Sequence, residues 1–190
     1  MTGNANVKTS RRAVLGAFAA VATVPAAPAY SNVFGFLKGA GDIRSIKMYS
    51  GRTGESINTV YWIEGKYIRE AVKEINYFMR DWRTDETIDY DLRNVDIMAA
   101  AHQLMDTNEP FLLLSGYRSS RTNAMLRRRS RNVAKNSYHI RGMAADLRLK
   151  SRSTSQMAKA AIACNSGGVG TYGRSNFVHM DCGPIRTWRG

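Results

Sequence analysis

Ser137-Tyr138-His139-Ile140-Arg141-Gly142-Met143-Ala144-Ala145-Asp146 holds a histidine and an aspartate separated by six residues. The glycine and small residues between them suit a tight turn leading into a strand. Strand side chains alternate between faces, so Asp146 shares a face with Ala144 and Arg148 while Leu147 and Leu149 take the core side. Asp146 is thereby aimed at a cleft. A second stretch, Phe177-Val178-His179-Met180-Asp181, alternates in the same way, with His179 and Asp181 on one face and Val178 and Met180 on the other. If the two strands are neighbours, His139, Asp146 and His179 supply three ligands to one divalent ion and leave a fourth tetrahedral position open. That is the layout of a catalytic zinc.

Ile43 to Tyr49 and Glu55 to Ile63 read as β-rich runs joined by the turn Ser50-Gly51-Arg52-Thr53-Gly54. Glu64-Gly65-Lys66 is a second turn. From Ile68 the apolar spacing changes: Ile68, Val72, Ile75, Phe78 and Met79 recur every three to four residues and predict a helix. Leu92, Val95, Ile97, Met98, Leu104 and Met105 predict another, ending before Pro110. His102 lies in that helix with only Asp106 as an acidic neighbour one turn on, and is assigned to packing. Phe111 to Leu114 reads as a short buried strand, Arg121 to Ser130 as a very basic helix, Ala144 to Leu149 as a strand and Thr154 to Cys164 as a helix. Gly167 to Cys182 reads as two short strands. Helices and strands mix without regular alternation, so the expectation is one α+β domain: a small antiparallel sheet with packed helices.

The chain has 190 residues, enough for one compact domain. Lys+Arg is 28 against Asp+Glu 15, a formal net charge of +13, which points to an anionic partner. Ser10-Arg11-Arg12 precedes an apolar run, Ala13 to Val24, too short for a membrane span, and Ala27-Pro28-Ala29 follows as a small-x-small cleavage pattern. Residues 1–29 therefore read as a twin-arginine (Tat-type) signal peptide, and residues 30–190 as a mature periplasmic domain without stable membrane insertion. Residues 1–29 contribute three of the cations (Lys8, Arg11, Arg12) and no acid, so +10 of the +13 belongs to the domain. Nucleic acid is not expected as a partner outside the cytoplasm, which leaves anionic lipid or an acidic wall polymer. Export permits Cys164 and Cys182 to pair, but sequence does not set their separation.

The motifs Ser115-Gly116-Tyr117-Arg118-Ser119, Ser137-x-His139-x-x-Gly142-x-Ala144-x-Asp146 and His179-x-Asp181 resemble those of the zinc D-alanyl-D-alanine peptidases. That clan includes D-Ala-D-Ala carboxypeptidases, VanX-type dipeptidases and phage endolysins, and shares its fold with the Hedgehog signalling domain. Gly167-Gly168-Val169-Gly170-x-Tyr172, Phe177-Val178-His179-x-Asp181-x-Gly183 and Arg186-x-Trp188 resemble more closely the exported murein endopeptidases, as do Arg80-Asp81-Trp82-Arg83 and Thr122-Asn123. The resemblance spans about Ile43 to Trp188. It implies a Hedgehog/D-Ala-D-Ala-peptidase-like fold, one Zn2+ held by His139, Asp146 and His179, and peptidoglycan as substrate. It also implies that Arg118 lies at the scissile carbonyl oxygen and that Ser137 contacts substrate. Tyr172 and Trp188 are candidate walls of the cleft, with aromatic core positions as the alternative.

One departure matters. Several clan members carry a catalytic carboxylate three residues before the last histidine, where this chain has Asn176. Asparagine cannot accept a proton, so the expected base moves to Asp181, with orientation of a ligand histidine as its alternative role. The expected reaction is hydrolysis of an amide in murein stem peptides or cross-links. Cleavage of terminal D-amino acids by a carboxypeptidase or dipeptidase, and non-catalytic wall binding through a zinc domain, are the competing classes. Arg127-Arg128-Arg129 with Arg121 and Arg131 is either a solvated helix face or a wall-binding patch.

Overall fold

The computed structural model describes residues 42–190. The expected signal peptide and the start of the expected mature domain lie outside the described residues. Strands β1 (Ile43–Ser50) and β2 (Ser56–Ile63) form the first hairpin, and β3 (Lys66–Tyr67) turns back onto β2. Helix α1 (Arg69–Phe78) buries Ala71, Ile75 and Phe78, the face its apolar spacing defines. Helix α2 (Leu92–Leu104) starts where the Asp91 carboxylate accepts from the Arg93 amide. Strand β4 (Phe111–Ser115) then leads into α3 (Ser120–Arg129), a single 3-10 turn (Tyr138–Arg141) and β5 (Ala144–Arg148). Helix α4 (Thr154–Ala163) opens with a capping box between Ser153 and Gln156. Strands β6 (Gly168–Tyr172), β7 (Phe177–Asp181) and β8 (Arg186–Arg189) complete the chain.

All eight strands join one sheet in the order β3-β2-β1-β4-β5-β7-β6-β8. The α+β class is as expected, but the sheet is larger than a small antiparallel one and carries two parallel pairings, β1 with β4 and β6 with β8. The first follows from a crossover: α1 and α2 intervene between the strands, so β4 returns beside β1 in the same direction. The second was not legible because Arg186–Arg189 is too short and too polar to show strand periodicity.

Helices α1, α2 and α4 pack against one sheet face, where Ile46, Met48, Ala145, Leu147, Val178 and Met180 join Ile75, Met98 and Met157 in the core. Helix α2 departs from a simple amphipathic stripe, since Asn94 and Asp96 are buried along with its apolar residues. Asp96 pairs with buried Arg44 of β1 at 3.0 Å and accepts from the hydroxyls of Tyr61 and Tyr67. The buried carboxylate is thereby neutralised and tied to the sheet. Residues of opposite parity on β5 and β7, among them Asp146, His179 and Asp181, face away from this core.

Candidate metal centre and cleft

Strands β5 and β7 are antiparallel neighbours, and their register sets Asp146 directly opposite His179. His139 comes from the 3-10 turn, where the Ser137 side chain accepts from the His139 amide and Gly142 closes the turn in the left-handed region at φ +64°. The three side chains converge. His139 Nε2 lies 3.2 Å from Asp146 Oδ1 and 3.3 Å from His179 Nδ1, and His179 Nδ1 lies 2.9 Å from Asp146 Oδ1. Tetrahedral ligands about 2.0–2.1 Å from zinc would stand about 3.3 Å apart, so the triangle has the size of one face of such a site.

The protons on the outer nitrogens decide the character of the inner ones. His139 Nδ1 sits 2.7 Å from the Gly116 carbonyl, which can only accept, so Nδ1 carries the proton and Nε2 presents a lone pair. Burial and then the Arg118 charge push the His139 pKa down to about 4, so the ring is neutral at pH 7. A bare nitrogen thus faces the Asp146 carboxylate at 3.2 Å. Two acceptors at that separation need a cation or a shared proton between them. Burial by itself would lower the proton affinity of His179, but hydrogen bonds and charges from Asp146 and Asp181 outweigh it and raise the pKa. The donor set, two imidazoles and one carboxylate on a buried face, fits a borderline-soft divalent ion such as zinc.

Asp181 is engaged by donors on both carboxylate oxygens. It is wholly buried, at 0% exposure. Its Oδ2 stands 2.9 Å from His179 Nε2 and 2.7 Å from Arg186 Nη2. Its Oδ1 accepts from Arg186 Nη1 at 3.0 Å, from the Gly183 amide at 2.9 Å and from the Gly168 amide at 3.3 Å. Burial raises its pKa, but these bonds to His179 and Arg186 overcome that and hold it well below the ordinary carboxylate range. The sequence places Asp181 on the correct strand face, yet the proton-acceptor role is at odds with a carboxylate whose oxygens are saturated by donors. This geometry matches the alternative role, orientation of His179 through its outer nitrogen. Gly168 is required here, since a Cβ would collide with the Arg186 guanidinium and the Asp181 carboxylate.

Arg118 follows β4 on a loop whose backbone is clamped twice: Tyr117 N donates to Met79 O and Arg118 N donates to His139 O. Its Nε donates to Ser115 Oγ at 2.8 Å and its Nη2 reaches Asp146 Oδ2. Buried Asp81 fixes the next residue, accepting from both the amide and the hydroxyl of Ser119. The cluster opens into a cavity of about 450 Å³ lined by Arg118, Ser137, Tyr138, Tyr172, Arg186 and Trp188 among others. Ser137 and Tyr172 therefore both border it. Asp146 is the one acidic side chain on its wall among the described residues.

From sequence, Arg186 and the Gly116 carbonyl carried no role, and Trp188 only that of a candidate cleft wall. Arg186 clamps Asp181 and stacks over the rings of Tyr138 and Trp188, 5.1 and 4.8 Å from their centroids. Trp188 packs beside the His179 ring and donates to Tyr172 Oη at 3.0 Å. Both stood in a quoted motif, which was their signal. The Gly116 carbonyl left none, because a backbone acceptor has no residue type. Away from the cleft, His102 meets Phe111 edge-to-face and the Glu109 carbonyl at 2.7 Å, in keeping with packing. Cys164 and Cys182 are separate buried thiols.

A family model described as peptidoglycan L,D-endopeptidase MepK matches residues 38–188. The chain belongs to that family. It is a peptidase by that membership, in line with the resemblance in its motifs. Peptidoglycan L,D-endopeptidase MepK of Escherichia coli K12 is 42% identical over 145 residues, covering 76% of this chain and 80% of the relative. The Shigella flexneri protein of the same name shows the same identity and coverage. The probable MepK of Haemophilus influenzae is 37% identical over 142 residues, covering 73% and 75%. No helix among the described residues is long and apolar enough to cross a membrane.

Proposed function

We infer that the protein is a zinc-dependent peptidoglycan endopeptidase that acts outside the cytoplasm and hydrolyses an amide between an L- and a D-configured centre. The observation that carries this reading is the convergence of His139, Asp146 and His179 at one end of an acid-poor cavity, in a chain of the MepK family. His139 Nε2, Asp146 Oδ1 and His179 Nδ1 would hold the ion. Zinc bound there supplies Lewis acidity, which brings the pKa of water to about 7 and polarises an amide carbonyl.

The chain's own residues do the rest. Arg118 has five N–H donors, of which Ser115 and Asp146 engage two, so it has donors left for the charge that develops on a tetrahedral oxygen. Asp181, held by Arg186, keeps the proton of His179 on Nε2 and its lone pair on Nδ1. Ser137 fixes the 3-10 turn that carries His139 and borders the cavity with Tyr172, so both are placed to contact substrate. Export through residues 1–29 belongs to the same reading and brings the protein to its polymer.

Mass spectrometry of cross-linked muropeptides incubated with the purified protein tests the proposal. Conversion of dimers to monomers, lost with a chelator and restored by added zinc, is expected. Full turnover in a preparation shown to be zinc-free would refute it, and release of terminal residues alone would replace it with a carboxypeptidase.

A further inference from the structure

We propose that the open groove beyond Trp188 and Tyr172 receives the second, carboxylate-bearing arm of a cross-linked peptide substrate, an inference that rests on the endopeptidase reading above. The groove measures about 1200 Å³ and runs between α4, the β6–β7 hairpin and β8. It is continuous with the metal cavity, since Asn132, Tyr172, Ser175 and Trp188 line both. The hydrogen-bonded pair of Trp188 and Tyr172 forms the ridge between them. Two hollows that share a wall beside a reacting centre suit a substrate with bulk on each side of the broken bond. A cross-link has that form, because two peptide arms meet across it.

Charge selects the chemistry of the second arm. Lys159, Arg174 and Arg189 line the groove, all exposed, and none forms an ion pair among the described residues. No aspartate or glutamate side chain lines it. Arg118 and Arg186 continue the same sign into the metal cavity, where each already holds a carboxylate. A concave surface that bears cationic but no acidic side chains, its guanidinium and ammonium groups unpaired, concentrates carboxylates and engages them by charge-assisted hydrogen bonds. Ile162, which is 47% exposed, gives the floor an apolar strip for the aliphatic part of the arm.

The test compares the wild type with an Arg174→Glu/Arg189→Glu variant on a cross-linked muropeptide dimer and on the same dimer with its free carboxylates amidated. Both positions are exposed and outside the metal cluster, so zinc content and melting temperature should match the wild type. For the native dimer, KM should rise about tenfold with kcat retained, as expected when exposed charge contacts are reversed. For the amidated dimer the two proteins should have the same KM. An unchanged KM on the native dimer, or an equal rise on both dimers, overturns the groove assignment and leaves the endopeptidase reading intact. Failure of the wild type to cut either dimer brings down the endopeptidase reading, and this inference with it.

Discussion

Asp181 shows why the type of a residue and its placement must be read together. Alternation along Phe177-Val178-His179-Met180-Asp181 is enough to put its carboxylate on the face of His179, and the two are 2.9 Å apart. Sequence could not reveal that Arg186, Gly168 and Gly183 saturate it, because those partners arrive through β8 and two backbone amides. Asp181→Asn should therefore weaken zinc binding about 10- to 100-fold, the usual effect of losing a partner that orients a ligand, and should not simply abolish a proton transfer. The pH dependence gives a second readout. Asp181 helps to raise the His179 pKa above 6.5, and a proton on Nδ1 excludes the metal. Zinc affinity is thus full above that raised pKa and falls, by up to about tenfold per pH unit, as pH drops through it. In Asp181→Asn the fall should begin at a lower pH. Competition titration against a chromophoric chelator across the acid range measures both effects. Unchanged affinity with lost turnover would restore Asp181 as a proton acceptor.

At the scale of elements, the strands and helices most legible in sequence were those with sustained periodicity. The β1–β2 hairpin, α1, β5 and α4 fall where the apolar spacing put them. Helix α2 was found, but its buried Asp96 and Asn94 were not, because a polar residue on a core face is visible only once Arg44, Tyr61 and Tyr67 are seen around it. Strand β8 was missed for want of length. The loop that presents Arg118 was recognised by its motif, whereas what holds it was not. Buried Asp81 accepts from the amide and hydroxyl of Ser119, and Ser119 in turn caps α3 by accepting from Thr122 N. Asp81→Ala leaves these buried donors unpaired, which should cost about 1–3 kcal/mol of stability. It should also lower kcat more than it raises KM, since Arg118 is then free to shift. Urea denaturation alongside steady-state kinetics measures both, and a variant with wild-type kcat would show that Arg118 does not depend on this clamp.

For the molecule as a whole, the parallel return of β4 beside β1 and the antiparallel pairing of β5 with β7 bring a turn at residue 139 and strands at 146 and 179 to one point on the sheet face opposite α1, α2 and α4. The convergence of His139, Asp146 and His179 was legible because each lies in a short stretch with its own alternation or turn signal. The groove beyond Trp188 was not, because α4, the β6–β7 hairpin and β8 meet only in the folded chain. Buried thiols at Cys164 and Cys182, with pKa values pushed up by burial to about 11 and 12, should remain unlabelled by thiol reagents until the fold opens. The measurement closest to the centre of the account is the zinc content of the purified protein and of its His179→Ala variant by elemental analysis. One zinc per chain in the wild type and almost none in the variant is the predicted result. A wild type that stays metal-free in excess zinc, or a variant that keeps a full equivalent, would contradict it.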